Sequence, residues 1–294
     1  MDFLSIDVGG SSIKHAVIDD KGNIKAKGKF TTPRTWEDFI AKLVAVKADY
    51  ASSYQLIGVG GSFPGAVDDT AGVIGGSSAI AYLHDFPIRK QLEKALDLPV
   101  SLENDANCAA LGEAWIGNGR DYADMMFLVI GSGVGGAVVK NKRIHHGKHF
   151  HGGEFGYMVV DNAGTILSEA ASTRVLVEKV AAAKNLKVTD LDGEKVFALA
   201  EKGDIIAQEN ITALYQNLAR AIYNLQYSFD PEIFVLGGAI SARPDFAAKI
   251  SQEIDQILAK VKIAKVKPIV VGSKYGNDAN LLGAVYDFIN KYPQ

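Results

Sequence analysis

Apolar residues run from Phe3 to Val8, break at Gly9-Gly10, and resume from Ile13 to Ile18 before the polar turn Asp19-Asp20-Lys21-Gly22. This pattern predicts two strands of a hairpin. A second stretch has the same layout. Met125 to Ile130 reads as a strand, Gly131-Ser132-Gly133-Val134-Gly135-Gly136 as a turn, and Ala137-Val138-Val139 as the start of the return strand. One module therefore recurs about a domain apart. The second turn fits GxGxxG, a pattern that supports dinucleotide binding only where a strand leads through it into a helix. Valine-rich apolar residues follow here, so a strand is predicted and a Rossmann site is disfavoured.

Helical spacing is present over Glu37 to Lys47, Ile88 to Leu96, Ala109 to Ala114, Ser172 to Ala183, Ile205 to Phe229 and Asn280 to Phe288. In the longest of these, Leu214, Leu218, Ile222 and Leu225 form one stripe, and Asp230-Pro231 ends the helix. Leu56 to Gly61, Pro99 to Leu102, Ile233 to Leu236 and Pro268 to Val271 read as strands, with glycine- and serine-rich loops over 60–65 and 72–78. The chain is predicted to be α/β. With 294 residues, 48% of them hydrophobic, two domains are expected: 1–117 joined by a closing helix over 279–294, and 118–278. No long linker is present, so short hinges are expected, one near Gly117 to Gly119.

A net charge of -3 leaves no surplus of Lys and Arg for a nucleic-acid backbone, and the densest basic stretch, Lys260 to Lys267, reads as a solvated face. Cys108 is the only cysteine, which excludes an intrachain disulfide and a multi-cysteine metal site. Asp2 and Asp7 interrupt what would be the apolar part of a signal peptide, and no apolar run reaches the roughly 18 residues a membrane span needs, so the expectation is a cytoplasmic protein without membrane contact.

The candidate chemistry is phosphoryl transfer, which needs phosphates fixed, magnesium held and a hydroxyl aimed and deprotonated. Asp7 ends a strand just before Gly9-Gly10, where backbone N–H groups are open to phosphate, and Ser11, Ser12 and Lys14 add donors and charge. Asp7 can orient magnesium directly or through its waters. A Gly-Gly turn alone also suits an ordinary tight hairpin. The second glycine turn and a third pair, Gly237-Gly238 at the end of a strand, favour a triphosphate clamp.

Glu103-Asn104-Asp105-Ala106-Asn107 stands between an apolar strand and an alanine-rich helix. Such residues can simply cap a helix. In a functional reading Asp105 is the general base and Asn104 binds neighbouring hydroxyls. Glu154, in Gly152-Gly153-Glu154-Phe155-Gly156-Tyr157, and Glu169 offer carboxylates suited to paired sugar hydroxyls, or are exposed loop acids. His145, His146, His149 and His151 crowd the same region without a zinc-binding pattern and read as loop histidines, one or two of them expected to line a sugar pocket, whereas Cys108 reads as buried and inert.

In order, IDVGGSSIKHAVID, FPGAVDDTAGVI, LENDANCAALGE, GSGVGGAVV, GGEFGYM, FDPEIFVLGGAI and GNDANLLGAVYDF resemble the ROK (repressor, open reading frame, kinase) family of actin-like sugar kinases over nearly the whole chain. The resemblance implies a fold of two ribonuclease H-like halves around a cleft, the last helix crossing back to the first domain. It implies ATP and Mg²⁺ as cofactors, phosphate and magnesium contacts at Asp7, Gly9, Gly10, Ser11 and Lys14, and a second phosphate loop including Gly131, Ser132, Gly133 and Gly135. Asp105 falls on the catalytic base, Asn104, Glu154 and Glu169 on sugar-binding positions, and Gly237 and Gly238 on the adenosine side. A small-molecule sugar substrate, a homodimer and hinge closure over the sugar are also expected.

Family repressors carry a helix-turn-helix segment ahead of the first glycine hairpin, whereas the sequence here starts directly with the hairpin strand, so a DNA-binding role is not expected. Many family kinases bind zinc through a cysteine cluster and a histidine at the position of Tyr157; the cluster is missing from Asp161 to Ser168, so no zinc is expected. The zinc-lacking pattern is similar to that of the β-glucoside kinases, and Tyr157 would offer an aromatic face to a second sugar ring. N-acetylmannosamine kinase and glucokinase are the alternative activities. A non-catalytic sugar-sensing regulator, or a repressor acting through a partner, are alternatives of another class.

Overall fold

The computed structural model describes residues 1–76 and 78–293; Ser77, in the expected loop 72–78, and Gln294, at the end of the expected closing helix, lie outside the described residues. The chain opens with β1 (Asp2–Val8), β2 (Ser12–Asp19), β3 (Ile24–Thr31), α1 (Trp36–Ala51), β4 (Leu56–Phe63), β5 (Ala66–Asp68), β6 (Val73–Gly75), α2 (Ile88–Leu96), β7 (Val100–Asn104) and α3 (Asp105–Trp115). There follow β8 (Met125–Ile130), β9 (Val134–Lys140), β10 (Arg143–Ile144), α4 (Leu167–Ala171), α5 (Thr173–Ala183), α6 (Gly193–Glu201) and α7 (Ile205–Phe229). The last elements are β11 (Ile233–Gly237), α8 (Phe246–Lys260), β12 (Val270–Gly272) and α9 (Ala279–Lys291). They form two compact units, one of Met1–Arg120, Lys142–Gly152 and Asn277–Gln294, the other of Asp121–Asn141 and Gly153–Gly276.

In the first unit the strand order is β3-β2-β1-β4-β7, with β1 antiparallel to β2 and parallel to β4. The alternation along β1 sends Leu4, Ile6 and Val8 into a core with Phe39, Leu43 and Leu92 from α1 and α2. The opposite face receives α9. Phe3 meets Phe288 with ring centroids 5.5 Å apart, and Ser5 Oγ donates to the Leu281 carbonyl at 2.7 Å.

The strand expected over Leu56 to Gly61 runs on to Phe63, into the loop expected over 60–65, and this docking accounts for a glycine within it. Gly60 lies in β4, where a Cβ would come within 2.2 Å of the Ala284 carbonyl oxygen of α9. Gly58 and Gly60 make room for a helix rather than a turn. The same small-residue logic joins α9 to α3: a Cβ on Gly283 would fall 1.7 Å from the Cys108 carbonyl oxygen. Cys108 itself is fully buried there.

In the second unit the order β9-β8-β11-β12 repeats β2-β1-β4-β7, including the antiparallel first pair and the parallel pairs that follow. The return strand begins at Val134, earlier than the glycine content suggests, so the turn is confined to residues 131–133. Leu214, Leu218, Ile222 and Leu225 of α7 are buried against this sheet's core, joined by Phe246, Ile250 and Ile254 of α8. Among the described residues no helix is long and apolar enough to cross a membrane.

Candidate active site

At the end of β1, Asp7 is 8% exposed. Its Oδ1 accepts from Ser62 Oγ at 2.8 Å, and its Oδ2 faces Lys14 Nζ at 3.2 Å, placed opposite by the β1–β2 register. These two partners satisfy the hydrogen-bonding capacity of a carboxylate withdrawn from water. Beyond it the Gly9 N–H donates to the Ser12 carbonyl at 3.1 Å, and Thr32 Oγ1 donates to the Gly9 carbonyl at 2.6 Å, which pins the turn while Gly10 and Ser11 stay exposed. A magnesium ion keeps most of its shell as water and phosphate oxygen, so one protein carboxylate is a fitting share. Among the described residues no cluster of three or more His, Cys, Asp or Glu is disposed to hold a metal by itself.

The β7–α3 junction takes the capping role that the sequence leaves open. Asn104 caps α3, its Oδ1 accepting from the N–H groups of Ala106 and Asn107 at 2.9 and 3.2 Å, while its Nδ2 donates to the Gly65 carbonyl at 3.0 Å. One N–H of that amide stays available for a ligand. Asp105, the first residue of α3, is exposed, and its backbone carbonyl accepts from Asn280 Nδ2 at 3.0 Å.

Behind the junction Glu103 is buried. One oxygen accepts the Asn104 N–H at 2.8 Å and Asn107 Nδ2 at 2.9 Å; the other meets His146 Nε2 at 2.7 Å and lies 3.9 Å from Lys291 Nζ. Burial opposes ionisation of Glu103, but the His146 bond and charge, with Lys291 and Asn107, hold its carboxyl below the ordinary value. The Glu103 bond raises the His146 pKa in turn, against the opposing effect of burial. His145, His149 and His151 are exposed.

In the second unit, the turn 131–133 rests on the start of α5. The Gly131 carbonyl accepts the Thr173 N–H at 2.9 Å, Arg174 Nε donates to the Ser132 carbonyl at 3.0 Å, and Ser168 Oγ accepts the Val134 N–H at 2.9 Å. Gly135 stands in β9 opposite Val129 rather than in the turn. Gly237 ends β11, and Gly238 has φ +89°, with the Ile130 carbonyl oxygen 2.0 Å from where a Cβ would sit. Only glycine fits that crossing. Beside these turns opens a cavity of about 1070 Å³, lined by Ser132, Thr173, Arg174, Phe197, Ile240 and Arg243 among others. The Arg243 guanidinium lies 4.1 Å over the Phe197 ring.

Glu154, Tyr157 and Glu169 are all exposed and ride on one hydrogen-bonded segment of this unit. Phe155 is buried between the first two, and the Leu167 N–H donates to the Met158 carbonyl at 2.8 Å, folding the chain back so that α4 delivers Glu169. Tyr157 is 67% exposed, a large aromatic face open to a ligand. Sequence reasoning did not single out Ser62, Arg174, Arg243 or Asn280, nor a partner for His146. The signal for Asn280 was a polar residue opening an otherwise apolar helix.

Two sheets of like strand order, each opening on an antiparallel pair with parallel strands after it, define a protein of the duplicated actin-like ATPase fold. The ROK family model matches residues 3–290, and the chain belongs to that family. It is 32% identical to a β-glucoside kinase of Listeria monocytogenes, over 99% of this chain and 98% of the relative. A ROK family protein of Streptococcus pneumoniae solved in complex with sucrose is similar at a TM-score of 0.92 and 37% identity, over 99% of both chains. A ROK family glucokinase of Streptomyces griseus, in complex with glucose and AMPPNP, is similar at a TM-score of 0.80 and 26% identity, over 99% of this chain and 100% of that one.

Proposed function

We propose that the protein is an ATP-dependent sugar kinase that phosphorylates the 6-hydroxyl of the non-reducing glucose of cellobiose-like β-glucosides. The observation that carries the reading is the β7–α3 junction, where an exposed Asp105 carboxylate is held at a helix start by the Asn104 cap and by the Asn280 bond to its own carbonyl. Asp105 takes the proton of the sugar hydroxyl as that oxygen forms its bond to the γ-phosphorus and the bond to the ADP oxygen breaks. Asn104, Glu154 and Glu169 bind sugar hydroxyls, and Tyr157 lies against a second ring.

ATP is assigned to the second unit, adenosine in the cavity beside Gly237 and Gly238 and phosphates at Gly131, Ser132 and Gly133; the AMPPNP bound by the Streptomyces relative supports that choice of nucleotide. In the first unit Gly9, Gly10, Ser11 and Lys14 are the phosphate contacts and Asp7 the magnesium contact. Bound magnesium would neutralise charge on the phosphate oxygens. Similarity to a β-glucoside kinase, and sucrose in a 37% identical relative, support a two-ring substrate. The family resemblance also supports a homodimer.

Comparing kcat/KM for cellobiose, N-acetylmannosamine and glucose in an ADP-release assay tests the reading, since hydrogen-bonding pockets separate hydroxyl patterns by about 10⁴-fold. Cellobiose is expected to lead. A hundredfold preference for N-acetylmannosamine would replace the substrate while keeping the reaction.

A further inference from the structure

The loop that follows β10 returns on itself. The Gly152 N–H donates to the His146 carbonyl at 2.9 Å, and Phe150 sets its ring edge-on to the His146 imidazole with centroids 6.3 Å apart. The loop is thus closed at its base, and the imidazole reaches out of that base to the buried Glu103 carboxylate at 2.7 Å.

Glu103 is the residue before Asn104, and the oxygen that His146 leaves free is the one that fixes the Asn104 N–H and the Asn107 amide. Those two bonds set the backbone direction from which Asp105 projects. A carboxylate this deeply buried stays charged only when its other oxygen is matched by a cation. Lys291 is the alternative, but its ammonium is nearer to Asp287 at 2.9 Å and Asp69 at 3.3 Å than to Glu103 at 3.9 Å, and Arg89 is drawn to Asp69 at 3.5 Å. No permanent cation named here stands closer to Glu103 than Lys291 at 3.9 Å, and His146, when protonated, places a positive charge on that oxygen at 2.7 Å.

We propose that His146 is a positioning residue for phosphoryl transfer, holding Glu103 so that Asn104 and Asp105 present their side chains to the sugar. The role rests on the reading of Asp105 as the base. His146 touches neither sugar nor nucleotide in this scheme. Its effect belongs in kcat and in the sugar KM, not in the KM for ATP.

The test uses the full chain with Asp105→Asn measured in parallel. His146→Ala is expected to lower kcat about tenfold to a hundredfold, the scale on which a misplacement of about 1 Å acts, with the ATP KM within twofold of the parent. His146→Gln keeps a neutral donor and should recover part of that loss. The parent's kcat should fall as pH rises through the elevated His146 pKa, and this alkaline limb should vanish in His146→Gln. Should His146→Ala not fold, the glutamine variant and its pH profile decide alone.

A His146→Ala protein that melts earlier yet keeps kcat within twofold would overturn the proposal, as would an NMR titration of His146 at or below the ordinary histidine value of 6.5. Turnover that persists in Asp105→Asn sinks the base instead. Turnover lost in Asp105→Asn but intact in His146→Ala sinks the positioning role alone.

Discussion

Asn280 donates through Nδ2 to the backbone carbonyl of Asp105 at 3.0 Å, across 175 residues of chain. The same Nδ2 lies 3.5 Å from Ser62 Oγ, which donates to Asp7 at 2.8 Å. Two side chains thus connect the carboxylate assigned to magnesium with the residue assigned to the base. Asn280→Ala removes the bond that holds Asp105 and should lower kcat about fivefold to tenfold, the equivalent of roughly one hydrogen bond. Steady-state kinetics on a variant with an unchanged melting profile would check it; an unchanged kcat would count against the link.

Asp105→Asn removes the proton acceptor and leaves the helix start intact, because Asn104 is the cap. Turnover should fall about 10²- to 10⁴-fold. Sugar affinity by calorimetry should hold within a few fold.

Asp287 titrates in the opposite sense to an ordinary paired carboxylate. Burial lifts it to about 7, with Glu103 and Asp69 pushing the same way and Lys291 opposing. The folded chain therefore holds this proton more tightly than the unfolded one, whose Asp titrates near 3.8. Its contribution is full below that value and is lost as pH rises through about 7. Asp287→Asn carries no such charge, and Lys291 keeps Asp69 at 3.3 Å. The variant's melting temperature should gain on the parent's between pH 5 and pH 8; a constant difference would contradict the assignment.

Gly283→Ala drives a methyl group into the backbone of α3 at Cys108. Overpacking of this kind costs about 1–3 kcal/mol, and here the obstacle is a carbonyl that cannot rotate away. Thermal melts should show a clear drop.

Burial pushes the Cys108 thiol well above its ordinary value, with Glu103, Asp287 and Asp7 adding to the rise. Native protein should be silent to a thiol reagent and react once denaturant opens the first unit. Rapid reaction of the folded protein would contradict the burial.

The repeated glycine hairpins were legible in the sequence because apolar runs and Gly-Gly breaks are local signals, and β1, β2 and β8 appear where the pattern puts them. Two elements were readable but passed over. In β3 the half-buried Ile24, Ala26, Gly28 and Phe30 alternate with exposed Lys25, Lys27 and Lys29, and in α8 Phe246, Ile250 and Ile254 recur every fourth residue. Gly60 falls inside the strand expected over Leu56 to Gly61, but the reason that position is a glycine was not legible, since it is a helix more than two hundred residues away.

The site divides along the same line. Asn104, Asp105 and the 131–133 turn belong to motifs a few residues long, whereas the bonds of Asn280 to Asp105 and His146 to Glu103 exist only once distant segments meet. Nothing in a histidine-rich loop names which imidazole finds the buried carboxylate. Tertiary placement alone separates His146 from the exposed His145, His149 and His151.

The docking of α9 on β1, β4 and α3 also dictates an order of events during synthesis. Every residue of the second unit must leave the ribosome before the helix that completes the first one exists, so the early strands wait with one face uncovered while the later unit is free to collapse. A nascent chain released just short of Ala279 should show a protease-sensitive amino-terminal half beside a resistant middle.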